Sequence, residues 1–358
     1  MKNTYVLILA GGIGSRFWPK SRNNFPKQFI DILGTGKSLL QLTFERFSKL
    51  CPPENIYILS NDQYAGLIGK QLPELPVANI IAEPTRNNTA PCIAYASFKI
   101  ADLNPEANII VAPSDQLILK EELFLEKIRI ALDGAERNDR LFTLGISPSR
   151  PDTGYGYIKY NPDTSGEIHK VIQFLEKPNL EKAREFVESG DYLWNAGIFV
   201  WNVRSILKAL ETYAPEIYDL FERGTVFYNT PGEVDFIKEY YPLSPNISID
   251  YAIMEKADNV YTVPGDFGWS DLGTWASLYE VLDKDEYNNV FSGHRVNLAE
   301  TENCMVQIPK DKVAVIKGLN DYIVVDDGKI LLIYPKALEQ EIKAVSNRVI
   351  EVCGSDFS

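Results

Sequence analysis

The chain opens with Leu9-Ala10-Gly11-Gly12-Ile13-Gly14-Ser15-Arg16, followed by Pro26-Lys27. Closely spaced glycines leave backbone N–H groups uncrowded, and a guanidinium and an ammonium stand nearby in sequence. N–H groups plus cations make a binding surface for an anion, and a phosphate chain suits it. Local charge agrees. The first thirty residues hold five Lys or Arg and no Asp or Glu, in a chain of formal charge −13, so the rest carries −18. Two rival phosphate motifs fail on spacing. A dinucleotide fingerprint would need a third glycine where Phe17 stands, and a P-loop ending in Gly36-Lys37-Ser38 would need one at Asp31. A tight strand-to-helix turn would explain the glycines but not Arg16 and Lys27.

The elements that must position this loop follow an alternating pattern. Residues 4–10 form an apolar run ending at Gly-Gly, as in a strand buried on both faces of a parallel sheet. Similar runs at 55–60, 77–82, 108–112 and 141–145 are separated by helical stretches at 38–50, 62–71, 88–103 and 121–136. This alternation predicts an α/β, Rossmann-like, mixed but mostly parallel sheet with ligands outside the carboxyl ends of its strands. Both the glycine loop and Pro113-Ser114-Asp115 fall at such ends. Beyond residue 150, strands are expected at 155–160, 169–175 and 192–201, and helices at 203–223, 232–240 and 247–257. Short β-rich runs follow at 305–308, 313–316, 322–325 and 330–333, with a hairpin turn at Asp326-Asp327-Gly328 and a last helix near 337–345. The division expected is a catalytic domain over 1–285 and a small β-rich module over 286–358.

Composition narrows the class. With 358 residues, 45% apolar and 24% charged, the chain reads as an ordinary globular protein of one large domain and a smaller one. Its acidic balance argues against nucleic acid or an anionic membrane as main partner. Four scattered cysteines and two histidines, His169 and His294, argue against zinc and suit a reducing compartment. No run approaches a membrane span, and residues 4–10 lack the flanks of a leader peptide, so the cytoplasm is expected.

Gly-Gly-x-Gly-x-Arg-Phe-x-Pro with a later Pro-Lys resembles the signature loop of the sugar nucleotidyltransferases. Glu83-Pro-Thr-Arg-Asn-Asn-Thr-Ala-Pro91 is similar to the base-recognition segment of the mannose-1-phosphate guanylyltransferases, except that Asn87 stands where Arg is usual and Arg86 lies one place earlier. A carboxylate at Glu83 could accept from the N1–H and N2–H₂ edge of guanine. An N-capped helix start at Asn87 or Asn88 is compatible with the same residues. Pro113-Ser114-Asp115-Gln116 resembles the family's Pro-Ser-Asp-His, with Gln116 replacing His. Gly268-Trp-Ser-Asp271-Leu-Gly-Thr-Trp275 resembles its second aspartate segment. Thr153–Ile158, Phe174-Leu-Glu-Lys-Pro178 and Trp194-Asn-Ala-Gly-Ile-Phe199 complete the likeness.

The resemblance covers about three quarters of the chain and implies roles residue by residue. Leu9, Ala10, Gly11, Gly12, Gly14, Ser15, Glu83, Asn88, Thr89 and Ala90 would bind nucleotide. Arg16, Lys27 and Lys177 would neutralise phosphate charge during the reaction. Gly156, Tyr157, Glu176 and Asn195 would bind the sugar, and Asp115 and Asp271 would hold Mg²⁺. The implied reaction is transfer of GMP from GTP to mannose-1-phosphate. Another nucleotide or hexose phosphate, or a non-catalytic regulatory relative that senses GDP-mannose, stays open. The β-rich tail resembles the β-helix-like module of short family members, which implies a homodimer. No isomerase domain, and so no isomerase activity, is expected.

Overall fold

The structure, a computed structural model, describes residues 3–162, 165–293 and 296–358. His294 lies outside them. The chain forms two compact units, one of residues 1–11, 43–114 and 118–269, the other of 12–42, 115–117 and 270–358. The division expected at 285/286 does not coincide with this one. Trp275 and Leu278 share a core with Phe17, Trp18, Met305, Ile323 and Leu332, so residues 270–285 group with the tail and with the glycine loop.

In chain order the first unit is built on β1 (Thr4–Leu9), then α1 (Leu39–Ser48), whose last six residues belong to it, β2 (Ile56–Asn61), α2 (Ala65–Gln71), β3 (Ile80–Glu83), α3 (Thr89–Leu103) and β4 (Asn108–Pro113). A two-residue strand, β5 (Leu117–Ile118), precedes α4 (Glu121–Glu136), β6 (Leu141–Ile146), β7 (Gly156–Tyr160), β8 (His169–Glu176), α5 (Leu180–Ser189) and β9 (Tyr192–Asn202). The unit ends with α6 (Val203–Tyr213), α7 (Pro215–Glu222), α8 (Glu233–Tyr240), β10 (Val260–Pro264) and the start of β11 (Trp269–Ser270).

Nine of these strands form one sheet in the order β3-β2-β1-β4-β9-β6-β10-β8-β7. The stretch β3-β2-β1-β4 is parallel, as the apolar runs predict, and β10 runs parallel to β6. The parallel share is smaller than expected because β9 inserts antiparallel to both β4 and β6, and β7 and β8 form an antiparallel pair. Alternating side chains supply both faces. Leu7, Ile109, Val111, Leu141 and Trp201 join the core under α3, α6, α7 and α8, while Phe142 meets Gly134 of α4 on the other side. Within the first core, Glu233 at the start of α8 accepts from Tyr95 and Lys99 of α3, so its buried charge is paired.

Local chemistry explains most departures from the expected elements. The helix expected over 203–223 breaks at Ala214 because Pro215 cannot donate into a continuing helix and starts α7 instead. Residues 77–79 form a 3₁₀ turn after Pro76, which leaves only Ile80–Glu83 extended. The helix expected over 247–257 is a π-turn at Asp250–Met254. Helix α5, capped by Asn179, was not anticipated.

The second unit carries α9 (Trp275–Val281), then β12 (Val290–Ser292), β13 (Val296–Ala299), β14 (Met305–Gln307), β15 (Ala314–Lys317), β16 (Tyr322–Asp326), β17 (Leu331–Pro335) and α10 (Ile342–Cys353). Here β12, β14 and β16 pair in parallel, as do β13 and β15, and β17 returns antiparallel to β16. The expected turn at 326–328 is present: Gly328 takes φ +94° and donates to the Asp326 carboxylate. The last helix runs longer than expected, to Cys353.

Aromatic packing secures the glycine-loop segment within this unit. Trp275 is fully buried, packs its ring against Phe17 with centroids 4.9 Å apart and planes tilted by 56°, and donates its indole N–H to the Trp18 carbonyl. Trp275→Ala should therefore destabilise the protein by roughly 3–5 kcal/mol, read as a fall in the urea midpoint. A midpoint unchanged from the parent would show that this core does not hold the unit together.

Candidate active site

β1 ends at Leu9, paired in the sheet, and Ala10 has both backbone groups engaged, with Leu59 and Ser60. These two residues end the strand and offer little free hydrogen-bonding capacity. From Gly12 the character changes. The backbone N–H groups of Gly12, Ile13, Gly14 and Ser15 donate to no acceptor among the described residues. A run of unsatisfied N–H groups on a surface loop is an anion cradle. A Cβ added at Gly11 or Gly12 would meet nothing within 4 Å, and neither has a left-handed φ, so the protein's own packing gives no reason for glycine at either place. Gly14 is different: its φ is +66° and a Cβ would lie 2.6 Å from Lys27 Cβ. The loop is held from below by Ser21, which donates to the Ile13 carbonyl, and by Gln28, which donates to the Gly12 carbonyl. Arg16 is exposed, and its guanidinium has no partner among the described residues.

Lys27 is buried, and its ammonium uses all three N–H groups internally. It lies 2.9 Å from Asp115 Oδ2, 3.0 Å from the Asp271 carbonyl and 2.8 Å from the Leu272 carbonyl. It thus gathers both expected metal ligands into one neighbourhood. Leu272 takes φ +44°, and Gly273 donates to Asp271 Oδ1, which fixes the aspartate turn. The structure places Lys27 as the support of Asp115 and Asp271 rather than as a free phosphate-binding ammonium. Among the described residues no group of three or more His, Cys, Asp or Glu is arranged to hold a metal.

In the first unit, Glu83 ends β3 with its carboxyl buried. One oxygen accepts from the Tyr241 hydroxyl, and the other has no partner among the described residues. Burial pushes this carboxyl up to about 7, against the opposing influence of Tyr241 and Arg86. Arg86 itself donates to the Tyr64 hydroxyl and lies over that ring. Asn87, the residue replacing the family's arginine, donates to the Tyr241 and Ser244 carbonyls and the Ser244 hydroxyl. It anchors the segment that carries Tyr241. Asn88 is the N-cap of α3, accepting from Thr89 N–H at φ +67°. Thr89 Oγ1 accepts from Ile249 N–H, and Ala90 is fully buried with its N–H on the Ile247 carbonyl. Thr89 and Ala90 therefore secure the start of α3.

The expected sugar residues come together in the same unit, with one exception. Glu176 Oε1 pairs with Lys177 at 2.6 Å. Its buried Oε2 faces Gly156, where any Cβ would sit 2.4 Å from it, and has no hydrogen-bond partner among the described residues. Asn195 lies opposite, 3.3 Å from that same Cβ position. Its Oδ1 accepts from Thr143 and Gly197, which turns its Nδ2 toward Asp250, 3.0 Å away. Lys177 takes φ +49°, and the Glu176 charge raises its pKa although burial opposes this. The side chain of Tyr157 falls outside the cluster. It is fully buried next in sequence to Gly156, on the other face of β7, and donates to the Asp152 carbonyl. Asp250 was not expected at all. Burial, then the Glu176 charge, push it up to about 7.

With this geometry in place, the comparisons decide the family. The Nucleotidyl transferase family model matches residues 5–288. The chain belongs to the nucleotidyl transferase family. It is 36% identical to the mannose-1-phosphate guanylyltransferase of Escherichia coli over 357 residues, covering 96% of this chain and 73% of that protein. A crystal structure from Thermus thermophilus, described as mannose-1-phosphate geranyltransferase, matches with a TM-score of 0.87 and 31% identity over 97% of this chain and 99% of its own. A Helicobacter pylori structure described as mannose-6-phosphate isomerase matches at TM-score 0.60 and 28% identity, over 74% of this chain and 99% of its own. No helix of the described residues is long and apolar enough to cross a membrane.

Two predictions follow from the site itself. Gly12→Ala should leave stability within about 0.5 kcal/mol of the parent but weaken nucleotide triphosphate binding at least tenfold. Calorimetric titration beside a melting curve reads both, and unchanged affinity would remove the cradle from the site. The carboxyls of Glu83 and Asp250 have raised folded-state pKa values. Their contribution to stability is therefore full below the unfolded values near 4 and is lost as pH rises through about 7. Unfolding free energy should fall between pH 5 and 8, by a smaller amount in Glu83→Gln; equal slopes for the two proteins would contradict the assignment for Glu83.

Proposed function

We propose that the protein transfers GMP from GTP to mannose-1-phosphate, giving GDP-mannose and pyrophosphate. What carries the reading is the cradle of unengaged N–H groups at Gly12–Ser15, in a chain 36% identical over nearly its whole length to a protein named for that activity. A phosphate oxygen of the sugar phosphate forms a new bond to the α-phosphorus of GTP. The bond from that phosphorus to the α–β bridging oxygen breaks, and pyrophosphate leaves with the electron pair. The attacking oxygen is already anionic, so no general base is needed.

The chain's own task is to gather and neutralise negative charge. The Gly12–Ser15 N–H groups and Arg16 hold the triphosphate. Lys177 holds the sugar phosphate. Lys27 keeps Asp115 and Asp271 oriented. Glu83 accepts from the Watson–Crick edge of guanine through its open oxygen, and Asn195 and Glu176 hold sugar hydroxyls. Asp115 and Asp271 suit Mg²⁺ chemically: they are hard oxygen donors, and Mg²⁺ commonly takes one or two carboxylates with substrate phosphates completing its shell. Asp115 retains one third of its side-chain exposure for such an encounter. When bound, the ion supplies Lewis-acid withdrawal of charge from phosphate oxygens.

The same reading takes the protein as a cytoplasmic homodimer, with β12–β16 as a short β-helix-like stack. The parallel pairings of β12, β14 and β16 and of β13 and β15 support the stack. Exposed Val315, Leu331 and Ile333 on that module support an interface there.

Pyrophosphate release from purified protein with Mg²⁺, across GTP, ATP, UTP and dTTP paired with mannose-1-phosphate or glucose-1-phosphate, tests the reading. Conversion of mannose-6-phosphate to fructose-6-phosphate should be measured in parallel. Release is expected with GTP and mannose-1-phosphate, abolished by EDTA. Asp271→Ala should lower turnover by about 10²–10³, equivalent to roughly 2.7–4 kcal/mol of lost transition-state stabilisation. Release with another pair would overturn the specificity, and isomerisation without pyrophosphate release would overturn the reaction.

A further inference from the structure

Asp250 sits at the first position of the π-turn Asp250–Met254, and such wide turns recur at functional sites because they re-aim a side chain. Its neighbours fix both ends of the turn. Ile249 N–H donates to Thr89 Oγ1, and Glu255, just beyond the turn, accepts from the backbone N–H of Glu176. The turn is therefore held against the residue whose carboxylate it faces. Asn195 completes the arrangement. Thr143 and Gly197 occupy its Oδ1, so its Nδ2 carries two N–H groups toward Asp250 and only one is used there.

An independent observation points to a ligand. The Glu176 side chain is 91% buried, its Oε1 is taken by Lys177, and its Oε2 has no hydrogen-bond partner among the described residues. A buried carboxylate oxygen left bare costs free energy unless something supplies a hydrogen bond. Gly156 keeps the space beside it clear, since any side chain there would collide with that oxygen. Two carboxylates and a spare amide N–H facing one cleared space form an acceptor-rich pole. It suits a group bearing several neutral O–H donors and repels an anionic one. The nearby Lys177 ammonium, half exposed, supplies the opposite pole. A ligand with vicinal hydroxyls at one end and a phosphate at the other matches both.

We propose that Asp250 is a substrate-binding residue that, with the free oxygen of Glu176, accepts hydrogen bonds from ring hydroxyls of the hexose phosphate and so sets which hexose is taken. This rests on the function proposed above and assigns its sugar-hydroxyl recognition to a residue outside the family's quoted segments. On binding, the Lys177 ammonium leaves Glu176 Oε1 for the phosphate, which frees a second acceptor oxygen. No proton moves and no covalent bond forms.

The test compares the parent with Asp250→Asn, which keeps the shape and an oxygen for Asn195 Nδ2. With mannose-1-phosphate, KM for the sugar phosphate should rise at least tenfold, while KM for GTP stays within twofold and the melting temperature is unchanged. A panel of 2-, 3- and 4-deoxymannose-1-phosphates separates contact from support. On at least one analogue the parent should lose tenfold in kcat/KM and the variant should lose nothing more, because the hydroxyl and its acceptor act as one interaction. Fully additive losses on every analogue, or an unchanged KM, would overturn the proposal. Calorimetric binding of mannose-1-phosphate alone reads the same tenfold loss without turnover. If the parent binds this ligand but forms no GDP-mannose, the proposed reaction fails while Asp250 is still tested. If the parent and variant bind it equally, Asp250 is excluded whatever the reaction.

Discussion

The buried ammonium of Lys27 is the constraint on which the second unit turns. Three acceptors, the Asp115 carboxylate and the carbonyls of Asp271 and Leu272, surround it and exhaust its donors. They come from two chain segments, both far from Lys27 in sequence, so one side chain ties the glycine-loop segment to both. Removing one partner of a buried charge pair leaves the other charge uncompensated, which typically costs several kcal/mol. Lys27 also gives Gly14 its requirement: its Cβ lies where a side chain at position 14 would go. The Gly-x-Arg and Pro-Lys portions of the signature are thus two halves of one packing unit.

The remaining glycines follow a different rule. Gly11 and Gly12 are demanded by nothing inside the protein, whereas Gly14 is demanded by backbone conformation and by Lys27. A sequence shows all three alike. Only the surroundings separate a glycine kept for the fold from one kept clear for a ligand. The same distinction applies around the Glu176–Asn195 cluster, where Gly156 is kept from carrying a side chain by a carboxylate oxygen with no hydrogen-bond partner among the described residues.

Much of the fold was legible because its signals are local. The apolar runs ending at Leu9, Asn61 and Pro113 carry the pattern of strands buried on both faces, and they form the parallel part of the sheet. The antiparallel insertion of β9 between β4 and β6 was not legible, since pairing direction depends on residues 48 to 94 apart. The site divides similarly. Motif spacing singled out Glu83, Glu176, Asn195, Asp115 and Asp271 as candidates. It proposed ligand roles for Ala10, Thr89, Ala90 and Tyr157, which the structure engages in strand-end, helix-start and core contacts. It also left open what Asn87 does; the answer lies in Tyr241 and Ser244, more than 150 residues away.

The stretch from Tyr241 to Glu255 has one further property. Tyr241 holds Glu83, Ser244 receives Asn87, Ile247 and Ile249 bind the start of α3, Asp250 meets Asn195, and Glu255 meets the Glu176 backbone. One strap therefore touches both the base cluster and the sugar cluster. When two ligands each bias the same element, thermodynamic reciprocity requires that each change the other's affinity by the same factor. On the proposed function, the strap links the groups that take the nucleotide to those that take the sugar, so a ligand at one cluster that shifts the strap would change affinity at the other by the same factor.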